Sequence, residues 1–309
     1  MRISHGLPTP PPLHPVATIG NFDGQHLGHQ ALIKAVVDLA QRRNGTATVI
    51  TFDPHPAAVL APETPLRFLA SQEEKFEFFK NLGVQEVVVL AFTRSLAALS
   101  PEDFVREVLV EGLRVRDLLV GANFVFGKDR RGTVDDLVRL GKIYGFEVHP
   151  LTPILLDGEV VSSTRVRHLI QQGNMKDAAR CLGRPYRLSG HVVQGEGRGA
   201  ALGCPTANIR IPGDRVVPPD GVYVTTTDVH GHEVPSVSYI GQRPTFGGGE
   251  RMLEVHLFAP PESSLYDQQL RVNFLERLRG DQQFDSVDAL RIQIQRDLEA
   301  ATDVHARRV

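Results

Sequence analysis

The sequence predicts an α/β protein in two parts: a doubly wound parallel-sheet domain, then a small antiparallel β-barrel domain followed by a C-terminal helix. Three observations carry this. Up to residue 184, short apolar runs alternate with segments of helical period, the pattern of strands joined by crossover helices and buried on both faces. From residue 185 the pattern changes to short alternating runs separated by turn signals, as in a small barrel. Finally, Val287, Leu290, Ile294 and Leu298 share one helical face, with Asp285 or Ser286 as the cap. Gly183-Arg184-Pro185 marks the change, giving domains of residues 1–184 and 185–309.

In the first domain, residues 16–19 read as a buried strand, 20–29 as a glycine-bearing loop, and 30–42 as a helix in which Leu32, Val36 and Leu39 recur. Residues 47–52 form a second strand, stopped by Asp53-Pro54-His55-Pro56, where two prolines block both strand and helix. Ser71 with Glu74 is a capping box opening a helix to about residue 82. Residues 87–92 are the third strand, and Ser100-Pro101 with Asp103 starts another helix, proline taking the first helical position. Residues 116–120 give a fourth strand, Thr133 with Asp136 caps a helix to about residue 144, and 146–151 give a fifth. Ligands of such sheets bind at the carboxyl ends of the strands. The first loop, the Asp53 to Pro56 turn and Gly121-Ala122-Asn123-Phe124 all fall at such ends. A helix pair around Gly173-Asn174 closes the domain.

In the second domain the alternating runs are 186–193, 207–211, 221–229, 234–240, 252–258 and 269–274. On the strand 252–258, Glu254 and His256 share one face while Leu253, Val255 and Leu257 take the other.

Bulk properties narrow the function. The 309 residues suit two domains with their own cores, 41% apolar and 23% charged, an ordinary globular composition. A net charge of −2, no tryptophan and no basic stripe interleaved with aromatics argue against nucleic acid as a partner. No apolar run approaches the roughly 20 residues of a membrane span. Residues 1–15 are proline-rich without the apolar core of a secretory signal, and Cys181 and Cys204 make neither a disulfide framework nor a CxxC site. The expectation is a cytoplasmic protein; the charge leaves a small anionic ligand in a local pocket open, and the number of copies that associate is left open too.

Four stretches carry candidate chemistry. In Gly20-Asn21-Phe22-Asp23-Gly24-Gln25-His26-Leu27-Gly28-His29, glycines let the backbone approach a ligand, and the following helix offers unpaired N–H groups to a phosphate. His26 and His29, three apart, can face that phosphate together. By spacing alone such a pair is more often a packing coincidence or half a metal site, although only Asp23 is nearby as a further zinc ligand. Residues 120–127 run into Lys128-Asp129-Arg130-Arg131, which alone is a solvated basic turn and fails the P-loop spacing. Ser162, Ser163, Thr164, Arg165 and Arg167 begin a helix, and can either cap it or clamp a polyphosphate. Gly195-Glu196-Gly197-Arg198-Gly199, ahead of Pro205-Thr206-Ala207-Asn208, is by itself a flexible hairpin.

Read together, these stretches resemble a known family. GNFDGxHxGH looks like the adenylyltransferase half of the bifunctional riboflavin kinase/FAD synthetases, a branch of the HxGH-type nucleotidyltransferases. VGxxFxFG and the SSTRVR stretch at 162–167 follow in the family's order. GxGxGxxLGxPTAN and the IGxxPTF-like turn at 240–246 resemble the kinase half. The resemblance implies two reactions: ATP phosphorylates riboflavin to FMN, and ATP then adenylylates FMN to FAD with release of pyrophosphate.

The resemblance also implies roles. Gly20, Phe22, Gly24, Gly28, His26, His29 and the clamp Ser162, Ser163, Thr164, Arg165 and Arg167 would hold ATP phosphates; Asn123 would orient substrates, and Asp53, Pro54, His55 and Pro56 would border the flavin. In the kinase half, Gly195, Gly197, Arg198 and Gly199 would cover the ATP phosphates, Thr206 and Asn208 would coordinate Mg²⁺, and Glu254 would take the proton of the ribityl 5′-hydroxyl. Two residues depart from the family pattern: Gln25 stands where valine is usual, and Cys204 where an aromatic is usual.

Overall fold

The computed structural model describes residues 1–195, 203–242, 251–261 and 263–308. The expectations on Gly197, Arg198, Gly199 and the end of the 240–246 turn lie outside the described residues. The chain forms two compact units, Met1–Leu66 with Ala70–Ser162, and Arg67–Leu69 with Ser163–Val309. By contacts the division thus falls at Ser162, whereas the sequence patterning changes at Gly183 to Pro185.

The first unit is a six-stranded sheet of β1 (Arg2–His5), β2 (Pro15–Ile19), β3 (Thr46–Asp53), β4 (Glu86–Ala91), β5 (Asp117–Gly121) and β6 (Glu147–Leu151). The order is β1-β4-β3-β2-β5-β6, with every pair parallel. Helices α1 (Leu27–Arg43), α2 (Pro56–Leu60), α3 (Gln72–Asn81), α4 (Arg94–Ala97), α5 (Pro101–Phe104) and α6 (Val134–Tyr144) accompany it, α5 running on as a π-helix over Val105–Gly112. Because successive strand residues point to opposite faces, each apolar run feeds two cores. Val16, Val49, Val87 and Leu119 pack with Ile33 and Val36 of α1 and Phe79 of α3. Ala17, Ile50, Val88 and Leu118 pack with Leu109 of the π-helix and Leu137 and Leu140 of α6. The capping boxes Ser71/Glu74 and Thr133/Asp136 open α3 and α6 as the sequence indicates.

The winding reverses at β2: β3 and β4 lie on one side of it, β5 and β6 on the other. That switch opens a crevice at the carboxyl ends of β2 and β5, the place where such sheets bind ligands. All five expected strands are present. β1 has no signature in the proline-rich N-terminal stretch; it exists because it pairs with β4 and because Arg2 and Ser4 both reach the buried carboxylate of Glu86, Ser4 Oγ lying 2.7 Å from Oε1. A small hairpin, β7 (Leu155–Leu156) and β8 (Glu159–Val160), is likewise absent from the sequence reading.

The second unit begins with the helix pair α7 (Ser163–Gln171) and α8 (Met175–Leu182), separated by Gly173 and Asn174. Strands β9 (Tyr186–Val193), β10 (Ala207–Arg210), β11 (Gly221–Val229), β12 (His232–Gln242), β13 (Arg251–Leu257) and β14 (Gln269–Gly280) form a closed antiparallel barrel in the order β10-β13-β12-β11-β14-β9. Its interior takes one face of each strand, with Tyr186, Tyr223, Leu253, Val272 and Phe274 all buried. The segment Arg67–Leu69 joins this unit, Phe68 bonding through its backbone to Asp214 and Val216.

The C-terminal helix, Val287–Ala306, covers Val222, Val224 and Val237 with Leu298, Ala301 and Val304. Its packed face differs from the expected one at the start, where Val287 is 62% exposed. The face includes a buried carboxylate, Asp297, which accepts from Arg279 Nε at 3.1 Å and Nη2 at 2.8 Å. A charged pair that satisfies both partners can occupy a seam position that hydrophobic period alone leaves to an apolar residue.

Candidate active sites

At the switch point a cavity of about 260 Å³ is lined by Gly20, Phe22, His26, Gly28 and His29 from the first loop and helix start, and by Gly121, Ala122, Asn123 and Phe124 from the end of β5. Residues some hundred positions apart therefore meet because β2 and β5 are neighbours. Val161, just before Ser162, also lines it. Thr152, Pro153 and Ile154 complete the wall; the sequence reading gave them no role, although they follow β6 at its carboxyl end, where the rule for such sheets points.

The loop is held in part by its own side chains and by the helix that follows it. Gln25, fully buried at a left-handed φ of +42°, donates from Nε2 to Phe22 O at 2.9 Å, and Gln30 donates to Gln25 O. His26 is the N-cap of α1 and makes no side-chain capping bond, so its ring is left to the cavity while the first N–H groups of the helix stay uncapped. The His26 and His29 rings stack with centroids 3.7 Å apart, and Phe22 meets His29 edge-on at 5.2 Å. A side chain at Gly28 would lie 3.2 Å from the His26 ring, so only glycine leaves that ring where it is.

Electrostatically both imidazoles are neutral near pH 7. Burial pushes His26 down to about 4, and burial together with the His26 ring pushes His29 well below the usual range. The Nδ1 atoms of both are buried without a hydrogen-bond partner among the described residues. Such atoms are costly unless a ligand oxygen meets them, which is what a phosphate offers.

A stability consequence follows with its sign. The unfolded chain takes up a proton on His26 near 6.5 while the folded unit does not until about 4, so stability falls as pH drops through that window, and the lowered His29 acts in the same direction. For His26 the difference is about 3 kcal/mol. Melting temperature measured between pH 7 and pH 4.5 is expected to fall less steeply in His26→Gln than in the parent; equal slopes would contradict the burial of a neutral ring.

The other residues expected here are placed as follows. Gly24 has φ +77° within the loop and is not part of the lining. Asp53, Pro54, His55 and Pro56 lie at the end of β3 and the start of α2, beside the cavity rather than in its wall, and His55 Nδ1 caps α2 by accepting from Ala57 N–H at 3.1 Å. Ser162 ends the first unit; Ser163, Thr164, Arg165 and Arg167 open α7 in the second.

In the barrel, a cavity of about 240 Å³ is lined by Pro205, Thr206, Ala207 and Asn208, by Val192, Val255 and Leu257, and by Pro260, Pro261 and Ser263 to Tyr266. Glu254 is not in that lining. It sits on the outer face of β13, directly opposite Asn208 on one side and Tyr239 on the other, while Leu253 and Val255 are buried inside as expected. The next outward residue, His256, bonds through Nδ1 to Pro205 O at 2.9 Å and so holds the loop carrying Thr206. Gly195 lies so close to the Asn208 amide that any side chain there would collide with it. Cys204 is buried, and burial together with the Glu254 carboxylate pushes its thiol up. Tyr266, 61% exposed on the loop wall, escaped the sequence reading; an aromatic set in a polar inter-strand loop was its only signal.

The chain resembles known proteins along nearly its whole length. A family model described as FAD synthetase matches residues 11–165, and one described as riboflavin kinase matches residues 182–305. The chain is 41% identical over 307 residues to a bifunctional riboflavin kinase/FMN adenylyltransferase of Pseudomonas fluorescens, covering 97% of each chain. It is 36% identical to the protein so named in Escherichia coli K12, covering 96% of this chain and 95% of the relative, and 33% identical to that of Bacillus subtilis 168, covering 93% and 91%. A solved structure from Streptococcus pneumoniae, described as a macrolide-efflux protein, superposes with a TM-score of 0.88 at 30% identity, covering 97% of this chain and 98% of that one. No helix among the described residues of the present chain is long and apolar enough to cross a membrane. With one family model on each part of the chain and relatives matching nearly end to end, the chain belongs to the bifunctional riboflavin kinase/FMN adenylyltransferases, enzymes that convert riboflavin to FMN and FMN to FAD.

Proposed function

We propose that residues 1–184 perform the adenylyl transfer and residues 185–309 the phosphorylation, each with the side chains identified above. For adenylyl transfer the carrying observation is the meeting of Gly20, His26, Gly28, His29 and Asn123 around one cavity. An oxygen of the FMN phosphate attacks the α-phosphorus of ATP, and the bond to pyrophosphate breaks on the opposite side. Neutral His26 and His29 donate ring N–H groups to the oxygens where charge grows, and the uncapped N–H groups of α1 add to them. Ser162, Ser163, Thr164, Arg165 and Arg167 hold the triphosphate, Asn123 orients the acceptor, and the Asp53 to Pro56 turn borders the flavin.

For phosphorylation the carrying observation is the cross-strand pairing of Asn208 with Glu254. Glu254 takes the proton of the ribityl 5′-hydroxyl as that oxygen attacks the γ-phosphorus and ADP leaves. Gly195, with Gly197, Arg198 and Gly199, covers the phosphates. The hydroxyl of Thr206 and the amide oxygen of Asn208 are hard oxygen donors suited to Mg²⁺, and the absence of any side chain at Gly195 leaves the Asn208 amide its place. Bound there, the ion neutralises phosphate charge. We assign both steps to the cytoplasm, where ATP is the phosphoryl and adenylyl donor and where buried Cys181 and Cys204 stay as free thiols.

Incubation of the purified protein with riboflavin, ATP and Mg²⁺, with the flavins resolved by chromatography, is expected to yield FMN and then FAD. A chelator of divalent ions is expected to stop both steps; continued turnover of either with no divalent ion would remove the metal from it.

A further inference from the structure

Helix α3 has no part in the reactions as described, yet it holds the loop that carries the histidines. Three contacts reach the loop from this side. Lys75 Nζ donates to Asn21 O at 3.4 Å; Phe79, one helical turn further on, meets the Phe22 ring edge-on at 5.5 Å; and the buried Asp23 carboxylate accepts from Ala70 N–H at 3.3 Å, just ahead of the helix. Phe22 packs on His29, and His29 on His26. The loop requires outside support, because Phe22 and Gln25 both adopt left-handed φ, +51° and +42°, which side chains disfavour.

Lys75 differs from the other two contacts in carrying charge. It is half-buried, and burial lowers its proton affinity while Asp23 and Asp53 raise it. Its ammonium and the two carboxylates attract one another electrostatically. Without it, two carboxylates would stand beside a site that must admit the phosphates of ATP and FMN, and Asn21 O would lose its donor.

We propose that Lys75 is a positioning residue for adenylyl transfer: its ammonium, among Asn21, Asp23 and Asp53, keeps the 20–25 loop, and through Phe22 the two histidines, in the arrangement that receives the reacting phosphates. The inference rests on the assignment of His26 and His29 to that step.

In the full-length enzyme, Lys75→Cys is expected to lower kcat/KM for FAD formation from FMN by on the order of tenfold to a hundredfold. Riboflavin kinase activity, read in the same preparation, is expected to stay at the parent level and reports folding of the second unit; the melting curve reports the first. Treatment with 2-bromoethylamine, in which the introduced thiolate displaces bromide, restores an ammonium at nearly lysine length and is expected to recover most of the activity. Alkylation with neutral iodoacetamide is expected to recover none. The parent treated alike controls for Cys181 and Cys204, both buried. Should the cysteine variant not fold, Lys75→Arg against Lys75→Met asks the same question, the charged variant being the more active. Parent-level FAD formation by Lys75→Cys or Lys75→Met, or recovery with iodoacetamide equal to that with bromoethylamine, would overturn the proposal. His29→Ala run alongside separates the two assignments: if it forms FAD at the parent rate the histidine reading fails, and if it is inactive while Lys75→Cys is fully active only the lysine role fails.

Discussion

Replacing Glu254 by alanine should stop FMN production while FAD still forms from supplied FMN. The proposed base contributes on the order of a hundredfold to ten-thousandfold to a proton-coupled step, so the kinase rate is expected to fall by that much. Little else should change. Glu254 lies on the outer face of β13, and the interior of the barrel is built by its neighbours Leu253 and Val255, which the substitution leaves in place. The measurement is a pair of initial rates in one preparation, riboflavin to FMN and FMN to FAD. Equal loss of both in a folded variant would mean that the sites are not independent. Relief of negative charge beside Cys204 gives a second readout, a thiol that ionises at lower pH in the variant than in the parent.

His29→Ala should have the opposite signature: riboflavin is consumed, FMN accumulates, and FAD formation falls by on the order of a hundredfold to a thousandfold, as when one donor to a developing oxyanion is removed. The cost in stability should be small, because the ring that is lost has a buried Nδ1 with no partner among the described residues, and removing an unsatisfied group offsets part of the lost packing on Phe22. FAD output unchanged from that of the parent would take His29 out of the mechanism. The two variants together test the division of labour: each is expected to abolish one step and spare the other.

The candidate sites were legible in the sequence to the extent that they are local. The strand, loop and helix around residues 16–42 follow from an apolar run, two glycines and a helical period within thirty residues, and His26 and His29 share a face because they stand three apart. The outward placement of Glu254 and His256 follows in the same way from alternation along one strand, and both capping boxes from side chains that bond to backbone three residues away. Where the reading fell short, the deciding partner lay far off in the chain. β1 needs β4 and the carboxylate of Glu86. The packed face of the C-terminal helix includes Asp297 because the Arg279 guanidinium pairs with it, while Val287 lies in solvent. Thr152 to Ile154 and Tyr266 become cavity walls only when strands and loops are assembled.

By itself, then, the sequence determined the two fold classes, the order of the strands along the chain, and the motif residues at the carboxyl end of β2, on the PTAN loop and on β13, since each depends on interactions within a few residues. Only the tertiary structure decided that β5 lies beside β2, so that Asn123 shares a cavity with the histidines, that these imidazoles are desolvated and neutral, and that a lysine on α3 donates to the backbone of their loop. Burial and long-range charge are properties of what surrounds a residue after folding, and period and spacing along a chain do not encode them.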